Sequence, residues 1–252
     1  MITDPLYYMA AIPAVIFLGL AKGGFSGIGV LAMPILALVI SPIQGAAIIL
    51  PILIVQDALG VWIYRRHWDR RNLAILLPGA ALGIVLATLF AARVSASDIA
   101  LVVGVISVGF AGRRLFLEWR RVAIPPASAG LIPGLFWGMV SGFTSMIANA
   151  GAPPYQVYVM PQRLPRDQFV GTTILFFAAI NWIKLPAFIL LDQFNHDSLI
   201  NSLVMMPLAV LSTWAGVILV RRVSPDGFYR YIYLLLLLVG VKLVWDGVSG
   251  MI

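Results

Sequence analysis

The sequence predicts an all-α integral membrane protein with an inverted-topology repeat: two similar helical halves in opposite orientation, each with a broken or re-entrant helix pair. Three observations predict it. Hydrophobic residues make up 61% of the chain and charged residues 11%, about half the charge that covers a water-facing surface. The apolar runs are nearly continuous over helical lengths, which excludes a barrel of short alternating strands. The arginines cluster in alternate connections. Cysteine is absent and His67 and His196 are the only histidines, so no disulfide scaffold, metal site, haem or other cofactor is expected. The net charge of +7 is read as membrane orientation, with no nucleic-acid partner.

A helix needs about 20 apolar residues to cross the hydrocarbon core. In chain order the runs are 5–21, 28–40, 43–64, 73–92, 98–116, 129–150, 153–161, 168–191, 199–220 and 228–248. Met1 to Tyr8 carries Asp4 and no Lys or Arg, so it lacks the basic start of a signal peptide and the first run is expected to stay in the mature protein. Runs 28–40 and 153–161 are too short to span comfortably. The first follows Gly23, Gly24, Phe25, Ser26, Gly27, Ile28 and Gly29, and the second follows Asn149, Ala150, Gly151, Ala152, Pro153 and Pro154. Each is expected to belong to a broken helix or a re-entrant hairpin. Tyr7, Trp62, Trp68 and Trp245 near run ends suit interfacial belts.

Thirteen of the 17 basic residues occupy four connections: Arg65, Arg66, Arg70 and Arg71; Arg113, Arg114, Arg120 and Arg121; Arg163 and Arg166; Arg221, Arg222 and Arg230. The positive-inside rule puts these in the cytoplasm, and puts the connections near 41, 93–98 and 192–197 and the C-terminus outside. The alternation holds provided 5–40 and 129–160 each return to the side they left. Two halves, 1–122 and 123–252, then run in opposite directions. Arg93-Val94-Ser95 matches Arg222-Val223-Ser224, and Pro78 matches Pro207, both at an offset of 129. Inverted repeats of this kind build many secondary transporters.

Unwound backbone persists in a membrane only inside protein or beside a water-filled cavity, so the two breaks are expected to meet at the centre. Pro153 and Pro154 suit a first helical turn. The restarted helices would turn their positive dipole ends and free N–H groups toward the cavity, which favours an anion. The glycines of the breaks would admit a ligand close to the backbone, whereas the other glycines suit tight helix packing. Lys22, Asp57 and Lys184 lie within apolar runs, where a charge is costly unless it faces a cavity or a partner. For the two lysines, lining the site and snorkelling to the surface both remain open. Asp57 is too short to snorkel and is the carboxylate best placed to carry a proton. Asn181 occupies nearly the equivalent place in the second half, at an offset of 124, and Lys184 lies one turn beyond it. Thr144, Ser145, Asn149, Gln156, Thr172 and Thr173 offer further donors, although hydroxyls in membrane helices commonly bond to the preceding turn. The candidate site is therefore Lys22, Gly23, Gly24, Phe25, Ser26, Gly27, Asn149, Gly151, Ala152, Pro153, Pro154, Gln156, Thr172, Asn181 and Lys184, with Asp57 for proton coupling. The partners expected are a small anionic substrate and the lipid bilayer.

An intramembrane hydrolase fits poorly. Ser26 in Gly24-Phe25-Ser26-Gly27 lacks the glycine at position 28 of a nucleophile turn, and both histidines fall in connections. No enzyme activity is expected. A channel with the same central site is the alternative to a carrier.

From about residue 10 to 245 the chain resembles the sulfite exporter TauE/SafE family. The resemblance is carried by the stretch from Ala21-Lys22-Gly23-Gly24 through Asp69, by Gly151-Ala152-Pro153-Pro154, by Phe169-Val170-Gly171-Thr172, and by Asn181 to Pro186. Many members have Gly-Gly-Pro-Pro where this chain has Ala152. The resemblance implies multi-pass transport of a small sulfur-containing anion such as sulfite or an organosulfonate across the inner membrane; with the inverted repeat, the expected function is export by alternating access around the central site.

Overall fold

Asp4 opens the first helix, accepting the Leu6 N–H at 2.8 Å, and Pro5 needs no partner in the first turn. The computed structural model describes residues 2, 4–25, 28–91, 93, 95–120, 126–219 and 226–250. Helix α1 (Pro5–Gly23) stops where Gly24 takes φ 127°, a backbone that glycine adopts at little cost. A 3-10 turn (Ile28–Leu31) and the short α2 (Ala32–Ala37) follow. Ser41 caps α3 (Pro42–Tyr64), then come α4 (Arg70–Ala91) and α5 (Ala96–Trp119), the latter opened by a reciprocal capping box of Ser95 and Asp98. Helix α6 (Leu131–Ala148) ends at Asn149, left-handed at φ 48°. Helix α7 (Ala152–Val159) runs into a 3-10 turn (Met160–Gln162). The chain closes with α8 (Arg166–Leu190), α9 (His196–Leu219) and α10 (Asp226–Ser249).

Among the described residues there are no strands, and seven helices are long and apolar enough to cross a bilayer: α1, α3, α4, α5, α6, α8 and α9. Large apolar side chains cover the outside, among them Leu89, Ile132, Trp182, Leu190 and Trp245, as lipid contact requires. The chain is a multi-pass membrane protein.

Helix α1 packs along α9 and α4 along α6, while α5 pairs with α10 and α3 lies against α8 and α9. Missing side chains let the backbones touch. A Cβ on Gly83 would sit 2.8 Å from the Phe143 nitrogen, and one on Gly216 would sit 2.9 Å from the Leu20 Cα. The expectation that glycines away from the breaks serve helix packing holds at these positions.

Hydrogen bonds gather the connections at two ends. At one end the Asp69 N–H donates to Thr172 Oγ1 at 2.8 Å, and the Asn72 and Gln162 amides exchange two bonds of 2.8 and 3.0 Å. The Ala127 N–H donates to the Pro161 carbonyl at 3.0 Å. Arg65, Arg66, Arg70, Arg71, Arg163 and Arg166 belong to these connections. At the other end Ser202 donates to the Ile48 carbonyl at 2.8 Å, and the Ile2 N–H donates to Asn201 at 3.3 Å. That end includes the acidic connection 192–197. Arg121, Arg221, Arg222 and the C-terminal Ile252 lie outside the described residues, as do Ser26 and Gly27 of the first break.

Candidate functional site

Each helix that precedes a break ends in a polar side chain held by a long helix that follows the break. Lys22, in the last turn of α1, forms an ion pair with Asp57 of α3, and both are buried, at 8% and 1% exposure. Asn181 of α8 donates to the other Asp57 oxygen at 2.7 Å. The Lys22 ammonium also lies 5.5 Å from the centre of the Phe177 ring. In the second half Lys184 of α8, at 0% exposure, donates to Asn149 Oδ1 at 2.7 Å and to the Ser145 carbonyl at 3.3 Å. Both bridges join residues 35 apart in sequence, with lysine and acceptor exchanged.

Neither lysine snorkels. Their ammonium groups find acceptors inside the protein, a carboxylate for Lys22 and neutral oxygens for Lys184, which offset part of the loss of water.

Between these bridges lies a cavity of about 90 Å³, room for a small ion with some water. Lys22, Asn149, Ala152, Gln156, Asn181 and Lys184 line it together with apolar side chains that include Leu18, Met33, Leu53 and Phe177. Lys22 and Asp57 cancel. Lys184 has no carboxylate in ion-pair range among the described residues, so the cluster carries one net positive charge when Lys184 is protonated. A lysine only donates, so Lys184 claims Asn149 Oδ1 and turns the amide nitrogen away. That nitrogen is buried and has no partner. A buried unpaired donor beside a lysine without a counter-charge has the chemistry to hold a small anion.

Several expected site residues sit elsewhere. Gly23 is bare because α9 backbone at Gly216 lies against it, and its carbonyl accepts from the Tyr64 hydroxyl at 3.1 Å. Gly24 makes the left-handed exit from α1 and is not among the cavity-lining residues. Phe25 packs into an apolar cluster with Ile28, Leu31 and Phe110. Gly151 faces α6: a Cβ there would meet the Ser141 carbonyl at 2.8 Å, and Ser141 Oγ donates to the Gly151 carbonyl at 2.7 Å. Pro153 and Pro154 are buried in the first turn of α7, where they remove two of the N–H groups expected to face an anion. The Ile28 N–H already donates to the Phe25 carbonyl at 3.4 Å. Side-chain donors, rather than two helix N-termini, therefore supply the polarity of the cavity.

Thr172 is also displaced from the site. It donates to the Gln168 carbonyl at 2.6 Å and accepts from Asp69, at the arginine-rich end. Its neighbour Thr173 lines the cavity, with its hydroxyl bonded to the Phe169 carbonyl at 2.7 Å. Thr173, Phe177, Asn181 and Lys184 form one stripe on α8. Their spacing of four, four and three residues is the signal that distinguishes Thr173 from Thr172.

A protein-family profile described as Sulfite exporter TauE/SafE matches residues 11–243, a span that contains both bridges and the cavity. No curated protein and no solved structure matches the chain. The extent of the profile match, on a multi-pass helical protein, shows that the chain belongs to the sulfite exporter TauE/SafE family of membrane transporters.

Proposed function

We propose that the protein exports a small sulfur-containing anion, sulfite or a short organosulfonate, across the inner membrane by alternating access around the central cavity. One observation carries the reading: Lys184 is buried without a counter-charge beside the unpartnered Asn149 amide nitrogen. Dipoles and donors do not identify a central atom, so the choice of sulfur rests on the family. The halves 1–122 and 123–252 form the inverted repeat. Its support is the matched pair of bridges, the left-handed exits at Gly24 and Asn149, and the packing of α1 on α9 and of α6 on α4. The gathering of arginine connections at one end supports a cytoplasmic face there.

Asp57 supplies the coupling. A proton on its carboxylate neutralises the partner of Lys22 and adds one positive charge to the cavity wall, so proton and anion favour each other's binding. Counterflow in proteoliposomes tests the function. Saturable sulfite or ethanesulfonate flux, accelerated by the same anion on the opposite side, is the expected result. Conductance without saturable exchange would contradict alternating access, and the absence of flux for every sulfur oxyanion tried would contradict the substrate class.

A further inference from the structure

We propose that Arg114 of α5 is a positioning residue for the anion: it holds the Gln156 amide so that its NH2 group, not its carbonyl, faces the cavity. The inference rests on the reading of the cavity as an anion site. The two ends of a side-chain amide are alike in shape and opposite in polarity, so its orientation decides whether it attracts or repels an anion. Gln156 of α7 is 3% exposed and lines the cavity. Arg114 Nη2 donates to Gln156 Oε1 at 3.0 Å, and the guanidinium packs against Met160 with its centre 5.4 Å from the Phe110 ring. A guanidinium only donates, so it keeps the carbonyl end on its own side. Gln156 Nε2 donates to nothing among the described residues.

The same device operates across the cavity, where Lys184 holds Asn149 Oδ1 and leaves Nδ2 unpartnered. A cation on a neighbouring helix thus aims one amide before the second break and one after it. Arg114 differs in this from Arg120, which is exposed and stacks on Phe116 and Trp119 of its own helix. Arg114 is half-buried and reaches across to α7.

Affinities for sulfite and ethanesulfonate, measured by calorimetry on purified full-length protein, test the inference through a double-mutant cycle. Arg114→Gln and Gln156→Met are each expected to weaken binding about tenfold, the cost of one lost or inverted polar contact. The double variant should bind no more weakly than Gln156→Met, and Arg114→Lys should recover most of the loss. Parent-like binding by Gln156→Met would overturn the proposal even if Arg114→Gln failed to fold. Losses that multiply in the double variant would also overturn it, because Arg114 would then act without Gln156. Lys184→Met serves as the control: if it binds like the parent, the anion site itself is wrong. If it loses affinity while Arg114→Gln does not, only the role of Arg114 falls.

Discussion

Lys184→Met is expected to bind anions about a hundredfold more weakly than the parent and to melt no lower than the parent. The two effects share a cause. Lys184 is fully buried, and its acceptors are the neutral Asn149 Oδ1 and the Ser145 carbonyl. A buried cation without a counter-charge costs several kcal/mol of desolvation that neutral acceptors only partly return. A methionine of similar length removes that cost, so the empty protein should be unchanged or more stable by about 1–4 kcal/mol. An anion, in contrast, loses a charge-assisted bond of about 1.5–3 kcal/mol. It also loses the orienting hold on Asn149. Calorimetry and melting of the ligand-free protein read the two separately. Lower melting with unchanged affinity would make Lys184 a structural residue.

The second large effect is expected at Asp57. Asp57→Asn leaves Lys22 buried with no carboxylate, a loss of about 3–5 kcal/mol of stability by analogy with other broken buried pairs. Combining it with Lys22→Met should restore most of that stability, because no charge is then stranded. Function divides differently. If the Asp57 proton couples transport, Asp57→Asn should abolish movement driven by a pH gradient while keeping anion counterflow. Equal pH dependence in parent and variant would leave Asp57 as a structural partner of Lys22.

Much of this arrangement was legible in the sequence, because hydrocarbon penalises charge and unwound backbone so heavily. Lys22, Asp57 and Lys184 stood out for that reason, Asn181 by its place equivalent to Asp57 in the second half, and the four converge on one cavity or its first polar layer. The apolar runs match helices to within a few residues, since the length of a run suffices to recognise a span. What stayed hidden depends on rotation and on neighbours. Thr172 and Thr173 differ by one residue, about 100° around a helix, and only the second faces the cavity. Gly23 and Gly151 looked like openings for a ligand, yet α9 and α6 backbone fill the space beside them. Their composition alone does not distinguish a glycine facing a ligand from one facing a helix. Arg114 counted only toward topology, because an arginine near a helix end reads the same whether it points to water or folds inward onto Gln156.

The most direct measurement is the position of a bound oxyanion in the intact protein. Selenite is a heavy-atom counterpart of sulfite, and the chain holds no cysteine to consume it. Anomalous diffraction at the selenium edge from crystals grown with selenite should show a peak inside the central cavity, within hydrogen-bond distance of Lys184 Nζ and the Asn149 amide nitrogen. That peak should vanish in Lys184→Met. An empty cavity, with selenium found only at the surface pocket formed by Arg66, His67 and Arg166, would contradict the account.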